Sequence, residues 1–339
     1  MERNAGTMPH SMMEMSVAEI EEDAKRILSL EVWKKCIGAA ESGATFRRNQ
    51  DALSKILFKQ RILHGITSLH TSIELFGQQV STPLLVAPLG SFWMVGPSAE
   101  HDVVEGASLG GTIAFVTHAG RSSVEEYTKG THAPLIWMSN LTDGEEETYR
   151  LARVAEKLGY VAVGLTVDSV EPSKVGDHIP LDSSGAPRKG FSATPKNIER
   201  LKKEVNLPIV VKGIMGVSDA LAAVNAGADA LIVSNHGGRK LDYSLSAIEV
   251  LPEIVSAVGG KTDILIDSGF RRGTDALKAL AMGAKAILIG RPVFWGVAVG
   301  GPSGVARVIE LMTEELKRTM MFTGVKDVRA VDRNILIFD

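Results

Sequence analysis

Eight short apolar runs spread along most of the chain restrict its fold more than any other feature. They are Pro83–Ala87, Thr112–Thr117, Leu135–Ser139, Val161–Val167, Pro208–Val211, Ala230–Val233, Asp263–Ile266 and Lys285–Ile289. Each is too short for a buried helix and rich in Val, Ile and Leu, as a parallel strand covered on both faces must be. Helical periodicity fills the intervals, for example at Glu145–Leu158, Ser218–Ala226, Ser244–Val258 and Thr274–Ala281. Gly159, Gly227 and Gly283 follow three of these segments, where a left-handed C-terminal residue is favoured. Successive runs begin 22 to 33 residues apart, except for the 47 between Val161 and Pro208. Strand and helix alternating eight times predict an α/β TIM barrel, (β/α)₈. A helical arm over Ser16–Leu57 precedes it, packed on the rim. One domain covers 1–339, with the barrel over about 83–322. A doubly wound open sheet is the rival, but it would carry its glycine fingerprint after the first strand, and here the glycine-rich turns follow the last two. The long interval holds Ser169–Ala193, which leaves the fourth strand at the end where barrels keep their active sites. A mobile lid and an ordinary surface loop both fit that stretch.

Composition narrows the function classes. Lys and Arg total 37 against 40 Asp and Glu, a net charge of −3, so the basic field that nucleic acid or an anionic membrane requires is absent. No apolar run approaches the roughly 20 residues of a membrane span. The single cysteine, Cys36, allows no internal disulfide, and no apolar signal segment opens the chain, so the reducing cytoplasm is the expected compartment.

Two turns point to a phosphate. After the seventh run the chain reads Asp267-Ser-Gly-Phe-Arg-Arg-Gly-Thr-Asp275, and after the eighth Ile289-Gly-Arg-Pro292. Glycines let backbone N–H groups approach an anion, and arginine forks match phosphate oxygens. Solvated surface turns are the plain alternative, yet barrel phosphate sites are commonly built from these two loops.

The string Ser234-Asn-His-Gly-Gly-Arg-Lys-Leu-Asp242 follows the sixth run. His236 at a barrel mouth can take a proton near neutral pH, and Arg239 can clamp a carboxylate. A lone histidine is more often structural; here its position, glycine neighbours and arginine argue otherwise. Asp168 closes the fourth run and can orient an imidazole. Lys212 closes the fifth. There is no HExxH, Cys/His cluster or EF-hand string, so no metal is expected.

SNHGGRKLD, VVKG, LTVD, DSGFRRGTDALKALAMGA and IGRP together resemble the FMN-dependent α-hydroxy-acid oxidases and dehydrogenases, from about Asn49 to about Gly324. The resemblance implies FMN as cofactor. It implies His236 as the base that takes the substrate hydroxyl proton while hydride equivalents pass to flavin N5, Asp168 as its orienting partner, and Arg239 on the substrate carboxylate. Lys212 would stand near flavin N1 and O2. Pro88, Leu89 and Gly90 match the stretch along the flavin, and Thr117, Thr166 and Ser234 its polar contacts. Asp267, with Ser268 beside it, matches the ribityl contact, and Gly269, Arg271, Gly290 and Arg291 the phosphate grip. A homotetramer and a small-molecule substrate are implied in the same way.

The family pattern also fails at identifiable places. Its arm tyrosine falls at Lys35 in an ungapped register, or at Ala39 in a register that matches Ser42-Gly-Ala. Its Gln-x-Tyr after the third strand is Met138-Ser-Asn140, and its second arginine falls near Val175, beside Lys174. Each lost charge-assisted contact removes about 1.5–3 kcal/mol. The expectation is therefore an FMN oxidoreductase acting on a CH–OH or CH–NH carbon beside a carboxylate or carbonyl, in a substrate other than glycolate or lactate, with Lys35 and Asn140 facing it. An ordinary 2-hydroxy-acid oxidase with a rebuilt pocket, or a flavin-binding protein without turnover, are the alternatives.

Overall fold

The computed structural model describes residues 14–172, 176 and 190–338. Its helices are α1 (Val17–Ile27), α2 (Leu30–Ile37), α3 (Ala44–Ser54), α4 (Ala99–Leu109), α5 (Glu145–Lys157), α6 (Pro195–Glu204), α7 (Val217–Asn225), α8 (Ala247–Val258), α9 (Gly273–Ala281) and α10 (Arg291–Thr323). The strands are β1 (Ile56–Phe58), β2 (Ile73–Leu75), β3 (Gln78–Val80), β4 (Leu84–Val86), β5 (Ala114–Thr117), β6 (Leu135–Ser139), β7 (Ala162–Thr166), β8 (Ile209–Ile214), β9 (Ala230–Val233), β10 (Asp263–Ile266), β11 (Ala286–Ile289) and β12 (Leu336–Phe338).

Strands β4 to β11 pair in parallel, each with the next, and β11 returns to β4 to close the barrel. Every residue of β4, β5, β6, β9 and β11 is buried, which is why these strands read as unbroken apolar runs rather than alternating ones. Gly159, Gly227 and Gly283 take φ of 83°, 100° and 100° at the helix ends where the sequence placed them. No helix among the described residues is long and apolar enough to cross a membrane.

Several boundaries differ from the sequence reading, for physical reasons. The expected helical arm is three helices. Serine caps start two of them: Ser16 closes a reciprocal box with Glu19, and Ser29 accepts from the Val32 amide. The arm then ends in a strand, β1, which pairs antiparallel with β12 from Ile56↔Phe338 to Phe58↔Leu336. A hairpin, β2–β3, precedes the barrel; Phe76 (φ 51°) and Gly77 (φ 72°) make its two-residue turn. The expected helix from Ser244 begins only at Ala247, because Ser246 and Glu249 cap it. Strand β8 runs past Val211 through Lys212 to Ile214, with a register shift at Gly213 (φ 106°). Helix α10 is interrupted by non-helical backbone at Gly300 and Gly301. Most of Ser169–Ala193, including Lys174 and Val175, lies outside the described residues.

Candidate active site

Four strand ends meet at one mouth. Asp168 lies two residues past β7, Lys212 is within β8, His236 follows β9 and Asp267 follows β10. His236 Nδ1 is 3.0 Å from both oxygens of Asp168. A carboxylate only accepts, so Nδ1 carries the proton and the lone pair of the neutral ring sits on Nε2. The imidazole is 28% exposed and the Asp168 side chain 14%. Burial drives the His236 pKa below its ordinary value, against the pull of Asp168, and Lys212 pushes in the same direction as burial. Burial would raise Asp168, but His236, Lys212 and Lys240 outweigh it and hold the carboxyl down at about 2. The resting pair is therefore carboxylate beside neutral imidazole.

The surroundings hold this pair in a strained shape. His236 has φ 58° and Ser268 φ 78°, both in the left-handed region. Ser234 Oγ accepts from the His236 amide at 3.1 Å and from Lys212 Nζ at 2.8 Å. Ser268 Oγ accepts from the Gly237 amide at 3.1 Å and donates to Asp267 at 2.7 Å. Lys212 Nζ is also 3.1 Å from Asp267 Oδ2. Burial would neutralise the lysine; Asp267 and Asp168 overcome that and keep it charged. Gly213 is the residue the sequence reading missed here. A Cβ on it would lie 2.7 Å from Asp168 Cβ, so the bulge after Lys212 makes room for the aspartate. VVKG carried the glycine, but an isolated glycine in a strand has several readings.

A second group of charges lies toward the arm. Arg239 Nη1 donates to the carbonyls of Lys35 (2.8 Å) and Gly38 (3.2 Å), at the C-terminal end of α2. Arg291 donates from Nε to Cys36 (3.1 Å), from Nη2 to Gly38 (2.8 Å) and from Nη1 to Gly237 (3.2 Å). Arg271 donates to the Phe270 carbonyl at 3.0 Å and lies over the Trp295 ring. Among the described residues none of the three forms a salt bridge with a carboxylate. Burial, then repulsion from Arg271 and Arg239, pushes the Arg291 pKa down to about 9. Arg291 is buried and Arg239 and Arg271 are partly buried, and a group of cations hydrogen-bonded to carbonyls is a donor set that suits an anion. Asp242 anchors the arm beside them, accepting from the Ser42 amide (2.9 Å) and hydroxyl (2.6 Å) and the Thr45 amide (2.9 Å). Asn49 and Asn235 exchange hydrogen bonds of 3.0 and 2.7 Å.

The remaining sequence candidates divide. Pro88, Leu89 and Gly90 follow β4; a Cβ on Gly90 would meet the Ala119 carbonyl at 2.7 Å. Thr117 ends β5 and accepts from the Ala119 amide at 3.2 Å, and Thr166 ends β7. Gly269 (φ 97°) packs on Asn49, and Gly290 precedes Arg291 at the start of α10. Three further candidates have local surroundings of their own. Met138, near the end of β6, is fully buried and packs on Gly164 of β7. Asn140 uses its side-chain oxygen to accept from the Thr142 hydroxyl at 2.7 Å, a local turn that short polar side chains favour. Lys35 brings its carbonyl, not its exposed side chain, to Arg239.

Fold and site together define a (β/α)₈ protein with a histidine–aspartate pair and a group of arginines at one mouth. The chain belongs to the FMN-dependent dehydrogenase family, whose sequence pattern it matches over residues 24–179 and 184–338. It is 35% identical to a peroxisomal (S)-2-hydroxyacid oxidase of Arabidopsis thaliana, over 94% of this chain and 95% of the relative. It is 33% identical to a 4-hydroxymandelate oxidase of Amycolatopsis orientalis, over 95% of this chain and 98% of the relative. The crystal structure of mandelate oxidase with benzoyl-formic acid superposes with a TM-score of 0.87 at 33% identity, covering 95% of this chain and 97% of that one. The protein is an FMN-dependent oxidoreductase of the hydroxyacid oxidase type. The residues fit the cofactor: Arg271 and Arg291, which form no salt bridge among the described residues, suit its phosphate, and buried, charged Lys212 suits an electron-rich ring.

Proposed function

We propose that this enzyme oxidises a 2-hydroxy acid bulkier than glycolate or lactate, of the arylglycolate kind that its mandelate-oxidising relatives take, with His236 as the base. The observation that carries the reading is the contact of His236 Nδ1 with both Asp168 oxygens at 3.0 Å, which turns the Nε2 lone pair away from the carboxylate. Nε2 accepts the substrate's hydroxyl proton, and Asp168 stabilises the imidazolium that results. Bound FMN supplies the two-electron acceptor. Lys212, charged and pinned by Ser234 and Asp267, offers positive charge at the mouth. Arg239 holds the arm through Nη1 alone, so its Nε and Nη2 edge, without a hydrogen bond among the described residues, can take a carboxylate. Pro88, Leu89, Gly90, Thr117, Met138, Thr166, Ser268, Gly269, Arg271, Gly290 and Arg291 would form the flavin bed.

The size argument rests on what is missing. No tyrosine precedes Tyr127, and the side-chain oxygen of Asn140 is engaged with Thr142. A small acid held mainly by its carboxylate would lose two phenolic contacts, each about 1.5–3 kcal/mol; a substrate with an apolar body recovers binding by burial. Anaerobic flavin bleaching with mandelate, 4-hydroxymandelate, glycolate and lactate tests this. The aromatic acids should bleach fastest at low concentration. Equal or faster bleaching by glycolate would overturn the substrate reading.

A further inference from the structure

Lys240 is the charged group beside the His236–Asp168 pair that the mechanism above does not use. Its neighbours Leu241 and Tyr243 are 69% and 82% exposed, whereas Lys240 itself is partly buried. An apolar side chain facing water next to a lysine turned inward reverses the usual order. The lysine has a specific partner: Nζ donates to the Glu171 carbonyl at 2.7 Å. Glu171 lies three residues beyond Asp168, on the segment leaving β7, while Lys240 lies four beyond His236, on the segment leaving β9. The bond therefore bridges the two loops that carry the pair.

We propose that Lys240 is a positioning residue for the His236–Asp168 pair, tying the loop of the base to the loop of its carboxylate and placing a second positive charge behind them. The inference rests on the reading of His236 as the base. The charged groups facing the imidazole are Asp168 from the β7 exit, Lys212 from β8 and Lys240 from its own loop. Asp267, from β10, faces Lys212 instead. Lys212 is committed to Ser234 and Asp267, so it cannot also fix the gap between the loops. Lys240 carries that task. Its charge opposes protonation of His236 and favours ionised Asp168. The same strap thus aligns the ring and keeps it in its proton-accepting form.

The test uses the full-length, FMN-loaded protein and two readouts. In the first, the ¹⁵N resonances of His236, assigned by comparison with His236→Gln, are titrated in wild type, Lys240→Arg and Lys240→Gln. Removing a positive charge should raise the imidazole midpoint in Lys240→Gln by about half to one pH unit, a three- to tenfold gain in proton affinity. Lys240→Arg, which keeps the charge, should stay within about twofold of wild type. An unmoved or lowered midpoint in Lys240→Gln, or an equal shift in both variants, overturns the proposal. Should Lys240→Gln not fold, Lys240→Met is read by the same criterion, and failure of both neutral variants while Lys240→Arg folds shows a structural strap alone and overturns the electrostatic part. The second readout is the pH profile of anaerobic bleaching by mandelate. If the limb moves with the resonance, both readings stand. A resonance that moves while the limb does not removes His236 as the base and leaves the Lys240 inference intact.

Discussion

At the His236 end of the mouth, Lys212 is answered by Asp267, His236 by Asp168, and the strained turn by Ser234 and Ser268. At the arm end, Arg239, Arg271 and Arg291 donate, among the described residues, only to backbone carbonyls, and burial with mutual repulsion drives Arg291 down to about 9. The first end is assembled before any ligand arrives. The second has no carboxylate partner within salt-bridge distance among the described residues, which suits the anions proposed for it, a phosphate at Arg271 and Arg291 and a carboxylate at Arg239. The contrast fits the two roles proposed above. A base must hold its geometry through each turnover, whereas a cofactor site gains affinity by keeping its charge uncompensated until the anion is present.

The largest effect that would break this contrast comes from His236→Ala. It should leave the protein yellow and slow substrate reduction of the flavin by about 10²–10⁴-fold. Stopped-flow bleaching measures it, and unchanged kinetics would remove the proton-handling end from the mechanism. Arg271→Ala acts on the other end. It should leave the His236 titration in place and weaken FMN by roughly ten- to 150-fold, the equivalent of about 1.5–3 kcal/mol. Flavin titration of the stripped protein reads this directly, and full flavin retention would contradict the phosphate assignment.

Gly213→Ala sharpens the comparison more finely. It forces a side chain onto φ 106° and sets a Cβ 2.7 Å from Asp168. The conformation alone costs about 1–3 kcal/mol. A lower Tm should accompany slower reduction, with FMN affinity unchanged. A loss of FMN instead would show that the two ends are mechanically coupled.

The sequence made the first end legible and much of the second obscure. Strands such as Ala230–Val233 stand out because both faces are buried, so His236 and Asp168 could be placed at strand ends. The arginines were visible too, since glycine-rich turns mark themselves. Their partners were not: Lys35, Cys36 and Gly38 present carbonyls, and a carbonyl leaves no trace in residue type. Contacts such as Ser42 with Asp242, or β1 with β12, join residues some 200 to 280 positions apart and carry no periodic signal. The turn at Asn140 was equally hidden, because position in a motif says nothing of a local hydrogen bond from Thr142 to the side-chain oxygen.

The smallest effect is a stability signature of the preassembled end. His236 has a folded-state pKa below its usual 6.5, and Asp168 has one of about 2 against 3.8. In each case the unfolded chain binds more protons in the interval, so stability falls as pH falls. The loss begins near pH 6.5 through His236 and continues below about pH 4 through Asp168. His236→Gln should remove the upper step from a plot of Tm against pH. An upper step that survives in His236→Gln would mean that another group is buried neutral there, and the resting state of carboxylate beside neutral imidazole would then be wrong.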